Sequence, residues 1–213
     1  MKINLEILNA SYIFDEKEIT DLNIKELVPK MIIRRRLTRA SKLVLELISN
    51  TDFKDGRIIF GTSYGELLST SKILNAISND EILSPTDFQN SVYNTPVSYA
   101  SILSNNTNEI LTVSSGEETS LKVLKVGAIK ALDNDEILLV CAETLNINNI
   151  EEVNVCVKYL ESAVAIKVKL TKEEATIDLN NIQNNGYPKS IEHIIHIAKN
   201  FKKDKKNIIE VNI

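Results

Sequence analysis

The sequence predicts an α/β fold of three layers, in which helices flank a mixed, mainly parallel central sheet. Candidate strands alternate with candidate helices along much of the chain. Glu136 to Cys141 is an almost uninterrupted apolar run, which is typical of a strand buried on both faces of a sheet. Together with the strand Glu109 to Val113 and the helix Ser114 to Leu132, it forms a β-α-β unit. Right-handed crossovers between such strands favour a three-layer domain.

The elements before this unit follow from the spacing of apolar residues. Alternation of apolar and polar residues predicts a first strand from Lys2 to Phe14. After a turn at Asp52 to Gly56, Arg57 to Phe60 is the predicted second strand. Apolar residues three or four positions apart predict helices at Leu37 to Asn50, Glu66 to Ser78 and Val97 to Leu103.

The region after residue 145 has a different character. Asn146 to Asn154 is predicted to be a polar linker, and Val155 to Leu170 has the alternation of one long strand or a bent pair. Ala175 to Leu179 is predicted to return on this strand as a hairpin. Ser190 is the predicted N-cap of a last helix that runs to about Phe201. We therefore expect one domain over residues 1–213, with an α/β core in 1–145 and a strand, hairpin and C-terminal helix extension in 146–213.

Composition limits the classes of function. The net charge of −4 argues against nucleic acid as the main partner. The presence of only two cysteines indicates a reducing compartment, and no apolar run approaches the length of a membrane span. The N-terminus alternates charged and aliphatic residues and lacks the apolar block of a signal peptide. We expect a cytoplasmic protein without a membrane span.

Several stretches of this chain, in this order, resemble one known family. They are residues 34–39 (RRRLTR), Phe60 to Leu67 (FGTSYGEL), Leu83 to Thr95 (LSPTDFQNSVYNT), and Leu111 to Leu121 followed by Ile137 to Glu143 (ILLVCAE). Together they resemble the β-ketoacyl synthase-like, N-terminal domain family. The resemblance implies a half of the thiolase fold that the complete condensing enzymes adopt.

The chain departs from the catalytic pattern of that family. Aligning Ser120 and Leu121 with the end of the synthase motif places Glu117 where a condensing enzyme carries its cysteine nucleophile. The second half of the fold, which supplies the family's catalytic histidines and lysine, has no room here. The resemblance therefore implies a protein without catalytic residues, cofactor or metal, with Glu117 as a vestigial nucleophile position.

The function implied is that of a non-catalytic accessory protein in fatty-acid, aryl-polyene or polyketide-type biosynthesis. Such a protein would bind a full-length ketosynthase, an acyl carrier protein, or both. The alternative is an acyl-transfer or condensing enzyme whose site is completed by a partner chain. In proteins of the thiolase fold the strand that matches Glu109 to Val113 pairs with its twin across a two-fold axis. Ile110, Leu111 and Val113 are therefore the expected edge of a homodimer or of a heterodimer with a synthase.

Local structure offers a second explanation for Glu117. Ser115 and Glu118 have the spacing of a capping box, and carboxylates in a first helical turn are favoured by the helix dipole. Helix stability thus accounts for both acidic residues without any chemistry. A carboxylate in this place is also a poor acyl acceptor compared with a thiolate.

An arginine cluster precedes or opens the helix that is predicted from Leu37. Positive charge there opposes the helix dipole by about 0.3–1 kcal/mol per group, so helix stability does not explain the cluster. The arginines either pair with carboxylates elsewhere in the fold or face an acidic partner such as an acyl carrier protein. They are Arg34, Arg35, Arg36 and Arg39.

The other reactive side chains favour structural roles. His193 and His196 share one helical face, but a zinc site needs a third ligand, and nothing in the sequence brings their helix near Glu117. Cys141 ends an apolar strand and is expected to be a buried, inert thiol, and Cys156 has no sequence feature of a nucleophile. The lysines that follow the last helix are expected to be solvated; they are Lys202, Lys203, Lys205 and Lys206.

Overall fold

The computed structural model describes residues 1–147, 157–180, 182–183 and 185–213, and these form a six-stranded sheet with helices on both faces. The strands are β1 (Lys2–Asp15), β2 (Arg57–Gly61), β3 (Ile110–Val113), β4 (Ile137–Thr144), β5 (Glu161–Thr171) and β6 (Ile208–Asn212). Their order across the sheet is β3-β2-β4-β5-β1-β6.

The sheet is mixed, which confirms the predicted fold class. Strands β3, β2 and β4 run parallel, and the pairings β4-β5, β5-β1 and β1-β6 are antiparallel. Parallel pairing is therefore confined to one half of the sheet and does not predominate. The antiparallel half includes the two strands that follow residue 145.

The helices within the described residues connect the strands and cover the sheet. They are α1 (Ile24–Leu27), α2 (Met31–Arg34), α3 (Arg39–Asn50), α4 (Leu67–Ser78), α5 (Pro85–Asn90), α6 (Thr95–Ser104), α7 (Thr119–Lys130) and α8 (Glu192–Asn200). Short 3₁₀ turns lie at Gly116–Glu118, Ala131–Asp133 and Lys189–Ile191. None of the helices in the described ranges is long and apolar enough to cross a membrane.

The packing of β4 shows why its residues from Ile137 to Ala142 are apolar. Ile137 and Leu139 belong to the core formed with α7 and α8 on one face of the sheet. Leu138 and Val140 belong to the core formed with α3 and α6 on the other face. Because successive side chains of a strand point to opposite faces, both sets must be apolar in a three-layer fold.

One prediction for the C-terminal region is wrong. Ala175 to Leu179 is not a strand of a hairpin; instead, the amides of Thr176 and Ile177 donate to the carbonyl of Ile208, at 2.8 and 3.0 Å. The lysine cluster is exposed, as predicted, but it is followed by a strand that the sequence did not predict, β6, which pairs with β1. The first residues of the strand predicted from Val155 lie outside the described residues, and β5 begins at Glu161.

Candidate functional site

The turn at residues 114–118 joins β3 to α7 and lies at the protein surface. Gly116 has a φ of +55°, a left-handed conformation in which residues with a Cβ are strained, which accounts for a glycine here. The carboxylate of Glu117 lies 3.2 Å from the Nζ atom of Lys189, and the two side chains are 74% and 55% exposed. The carboxylate at the predicted nucleophile position is thus held by an ammonium group in open solvent.

The predicted capping box does not form. The 3₁₀ turn Gly116–Glu118 delays the start of α7 to Thr119, so that Ser115 is too far from the helix to cap it. No side chain caps α7; the Thr119 hydroxyl instead closes the preceding turn, since it accepts a hydrogen bond from the Ser115 amide at 3.0 Å and donates to the Gly116 carbonyl at 2.7 Å. Glu118 pairs with Lys122 one helical turn later, at 3.3 Å.

Contrary to expectation, His193 lies close to this turn. Its Nδ1 atom is 3.2 Å from the Oγ atom of Ser120, and its backbone amide donates to the same oxygen at 3.4 Å. Burial lowers the pKa of His193, His196 lowers it further, and Glu118 acts against both. Ser120 is fully buried, so this contact joins α8 to α7 and gives a substrate no access to the serine hydroxyl. His196 points elsewhere, with its Nε2 atom 3.0 Å from the carbonyl of Asp178.

A buried carboxylate lies behind the turn, at the carboxyl end of β4. Glu143 is fully buried and accepts hydrogen bonds from the Thr62 hydroxyl (2.9 Å), the amides of Ser63 (2.6 Å) and Tyr64 (3.3 Å), and the Ser190 hydroxyl (2.7 Å). Burial raises the pKa of Glu143, and these donors act against the rise. Glu143 thereby ties the loop after β2 to the segment before α8.

One sequence interpretation changes with this cluster, and the prediction of a buried, inert thiol at Cys141 is confirmed. Ser190 does not cap α8, because its hydroxyl donates to Glu143 and the helix begins two residues later. Burial, reinforced by the neighbouring Glu143, raises the pKa of the Cys141 thiol well above its usual range, so this thiol is not a nucleophile at neutral pH. Cys156 lies outside the described residues. Among the residues that the structure does describe, no group of His, Cys, Asp and Glu side chains could hold a metal ion.

The four arginines of the cluster have different environments in the structure. Arg39 is engaged internally: its Nε and NH2 atoms each lie 2.6 Å from the buried carboxylate of Glu161. Arg34 donates to the carbonyls of Val28 and Pro29 at 2.7 and 2.6 Å. Arg35 and Arg36 are exposed, and their side chains form no ion pair within the described residues.

Strand β3 lies at one edge of the sheet. The amide of Ile58 donates to the carbonyl of Glu109 at 3.1 Å, and that of Thr62 donates to the carbonyl of Val113 at 3.2 Å. The backbone of the odd-numbered residues therefore faces β2, while that of Ile110 and Thr112 faces away from the sheet. A groove of about 710 Å³ runs along this outer side, with Tyr93, Asn94, Ser98, Ser101 and Ile102 on its far wall.

Comparisons with known proteins agree on one family. The model of the family described as beta-ketoacyl synthase, N-terminal domain, matches residues 15–207. A chain in the complex of the ketosynthase ApeO with its chain length factor ApeC from Xenorhabdus doucetiae has a TM-score of 0.62 and 20% identity. The alignment covers 82% of this chain and 84% of that one. None of the curated proteins matches this chain.

Two further similar solved structures each contain a ketosynthase. The ishigamide ketosynthase/chain length factor has a TM-score of 0.63 at 12% identity, with 83% of this chain and 64% of that chain covered. A type II polyketide synthase acyl-carrier protein in complex with its ketosynthase has a TM-score of 0.61 at 11% identity, with 81% and 64% covered. At these identities the similarity shows the fold alone, and this chain spans less than two thirds of the last two.

Proposed function

This chain belongs to the family of β-ketoacyl synthase N-terminal domains, and we propose that it is a non-catalytic partner of a full-length ketosynthase in fatty-acid, aryl-polyene or polyketide-type biosynthesis. The observation that carries this proposal is the open edge at β3. A sheet edge with free backbone groups and apolar side chains is a template for pairing with another chain.

The chemistry of the β3 edge supports strand pairing. The backbone groups of Ile110 and Thr112 face the groove, where a second strand could bond to them. Leu111 and Ile110 are half-buried, and Ile102 on the opposite wall is 71% exposed. Covering these side chains would bury apolar surface at about 25 cal/mol per Å², in addition to the backbone hydrogen bonds. Both contributions favour a strand from another protein over water.

The 114–118 turn supports the absence of catalysis. Nucleophilic acyl transfer needs an activated nucleophile, and condensation needs preorganised donors in a site that excludes water. The side chain at the corresponding position is a carboxylate that is paired with Lys189 and largely exposed. The nearest histidine contact, between His193 and Ser120, is directed into the protein interior.

The relatives motivate the choice of partner. One matched chain comes from a complex of a ketosynthase with its chain length factor, and it is about as long as this chain. Another match is a ketosynthase in complex with an acyl-carrier protein. We propose the same two partner classes here, with a ketosynthase at β3 and an acidic carrier protein near Arg35 and Arg36, whose charges are unpaired within the described ranges.

The decisive experiment alters one backbone group of β3. Thr112→Pro removes an N–H that faces away from β2, so pairing within the sheet is retained, while the proline ring blocks an added strand. Thr112→Val is the matched control, because it keeps this N–H and a side chain of similar size. The chain is co-expressed with a full-length ketosynthase encoded near it in the genome, and binding is measured by light scattering coupled to gel filtration and by titration.

We expect Thr112→Pro to weaken binding of the ketosynthase by at least tenfold and Thr112→Val to leave it unchanged. The melting temperatures of the two variants serve as the check on folding. Equal binding by the proline variant and the wild type would overturn the proposed interface. Binding that is lost in both variants while both stay folded would point to the Thr112 hydroxyl and would equally contradict a strand-pairing mode.

A further inference from the structure

A cavity of about 410 Å³ lies on the α3 face of the sheet, apart from the 114–118 turn. It is bounded by the N-terminal ends of α3 and α4, by α5, and by Thr144 at the carboxyl end of β4. Strand β2 is followed in the chain by β3 on one side of it and later by β4 on its other side. Ligands of open α/β sheets commonly bind at such a reversal, outside the carboxyl ends of the strands.

Glu66 lines this cavity, and only one of its two carboxylate oxygens accepts a hydrogen bond from a described residue. The residue is only 3% exposed, and one of its oxygens, Oε1, accepts a hydrogen bond from the Thr38 hydroxyl at 2.5 Å. The other oxygen, Oε2, receives no hydrogen bond and no ion pair from any described residue. Because no fully buried side-chain oxygen of the described residues lacks a partner, Oε2 is accessible to solvent in the cavity. Burial raises the pKa of Glu66 to about 7, and only the Thr38 hydrogen bond acts against this rise. A buried carboxylate without a cation is costly, and it would gain from a donor placed in the cavity.

Lys42 lines the same cavity with the opposite charge. It lies one helical turn after Thr38, is half-buried, and makes no ion pair within the part of the chain that the structure describes. The other charged side chains around the cavity are already paired. Arg39 lies 2.6 Å from Glu161 and 3.5 Å from Glu18, and Lys72 lies 3.9 Å from Asp87. Glu66 and Lys42 are therefore two unpaired, opposite charges on one cavity that do not pair with each other.

We propose that this cavity binds a small zwitterion, whose ammonium group meets Oε2 of Glu66 and whose carboxylate meets Nζ of Lys42. A cavity of 410 Å³ is within the range of small-molecule sites. Charge-assisted hydrogen bonds at both ends satisfy the two groups that the protein leaves unpaired. A simple cation or a simple anion satisfies only one of them. The ligand class is therefore a compact amino acid, and the separation of the two charges selects its length.

The test uses the free chain and a series of amino acids of increasing length. Glycine, β-alanine and 4-aminobutyrate are titrated calorimetrically, beside propylamine and propionate, which each carry one of the two charged groups. We expect one amino acid to bind at least tenfold more tightly than both single-charge compounds. Glu66→Gln and Lys42→Gln are each expected to weaken that amino acid by about tenfold or more. Glu66→Gln should leave the binding of propionate unchanged, and Lys42→Gln that of propylamine.

A pH profile separates recognition by Glu66 from a general loss of structure. The ammonium group needs the ionised carboxylate, so wild-type affinity should rise about tenfold between pH 6 and pH 8. The charged groups that face the cavity besides Glu66 are Glu18, Arg39, Lys42, Lys72, Asp87 and Glu161. The Glu66→Gln profile should be flat. Lys42 is only half-buried, so Lys42→Gln is expected to fold. If Glu66→Gln fails to fold, Lys42→Gln still tests the proposal.

The proposal is overturned if no amino acid exceeds the single-charge compounds, or if neither substitution changes the affinity of the tightest one. A pH profile that is identical in the wild type and in Glu66→Gln would also overturn it. Because the free chain is titrated without a ketosynthase, these results are independent of the β3 interface.

Discussion

At the scale of single residues, Glu117 decides between a vestigial and a working acyl site. We predict that Glu117→Cys restores neither acyl-enzyme formation nor condensation. The new thiol would be exposed beside Lys189, but the imidazole of His193 is engaged with buried Ser120. Loss of a positioned acid-base partner typically costs ~10²–10⁴-fold in rate. Mass spectrometry after incubation with an acyl carrier protein donor, beside a condensation assay, measures both outcomes.

Alkylation of the Glu117→Cys variant is the control that shows whether the new thiol is accessible in the folded protein. Iodoacetamide should alkylate Cys at position 117, and the double variant with Lys189→Met should react more slowly, since the ammonium group favours the thiolate. Condensation by Glu117→Cys alone would contradict the proposed non-catalytic function. It would instead favour the acyl-transfer alternative, with a site that a partner chain need not complete.

Residue contacts were the least predictable part of the molecule from sequence. Ser190 has the residue type of an N-cap, yet its hydroxyl is used by Glu143, which is 47 positions earlier in the chain. The proximity of His193 to Ser120 likewise joins residues that are 73 positions apart. No local pattern reports such pairings. The one available signal was an acidic residue, Glu143, near the end of an otherwise apolar strand.

At the scale of elements, Glu66 links the start of α4 to the N-cap of α3 through Thr38. Its pKa is raised from 4.5 to about 7, so the folded protein retains a proton that the unfolded chain releases. The resulting stabilisation is present below pH 4.5 and is lost as the pH rises through 7. We predict that Glu66→Gln is more stable than the wild type at pH 8, by up to about 3 kcal/mol, and close to it at pH 4.5.

Urea unfolding of the wild type and of Glu66→Gln at several pH values measures the difference in their free energies of unfolding. The other titratable groups are the same in both proteins, so their contributions to this difference largely cancel. A difference in the free energy of unfolding that does not vary between pH 4.5 and 8 would contradict the raised pKa of Glu66.

Elements with strong local signals were predicted well. The apolar patterns predicted strand β4 and helix α3, and in the structure each element overlaps its predicted range. Strand β6 was missed because Ile208–Asn212 is short and directly follows a lysine-rich segment that looks like a solvated end. Ala175 to Leu179 has strand-like alternation, but its amides at Thr176 and Ile177 bond to Ile208 outside any ladder.

At the scale of the whole molecule, many large apolar side chains are exposed. Several lie on α4, on α5 and on the segments beside these helices. The exposed fractions of four such side chains are 59% for Ile77, 98% for Ile82, 66% for Phe88 and 50% for Val92. Helices α4 and α5 pack on each other, with Ser69 the one buried residue of α4. Apolar surface of this extent commonly marks a protein interface.

We predict that the protein self-associates, or associates with a ketosynthase, through β3, and that Leu111→Lys weakens this association. Leu111 is half-buried and contacts the core beneath α7, so thermal unfolding must show that the variant is folded. Asn212→Lys, at the exposed end of β6 on the opposite edge, is the matched control. Sedimentation velocity at high concentration should show a shift to monomer for Leu111→Lys alone. A wild type that stays monomeric, with ketosynthase binding unaffected by Leu111→Lys, would contradict this prediction.

The place of β1 in the sheet bears on how the chain folds as it is synthesised. This strand is synthesised before the other five, yet its two neighbours are β5 and β6, which are synthesised after β2, β3 and β4. Until then β1 has neither of its pairing strands, and the antiparallel half of the sheet cannot begin to form. Contacts between such distant parts of a chain slow folding, and an unpaired apolar strand invites aggregation during the delay. A chaperone that shields β1 would therefore act on this protein until β5 and β6 have been synthesised.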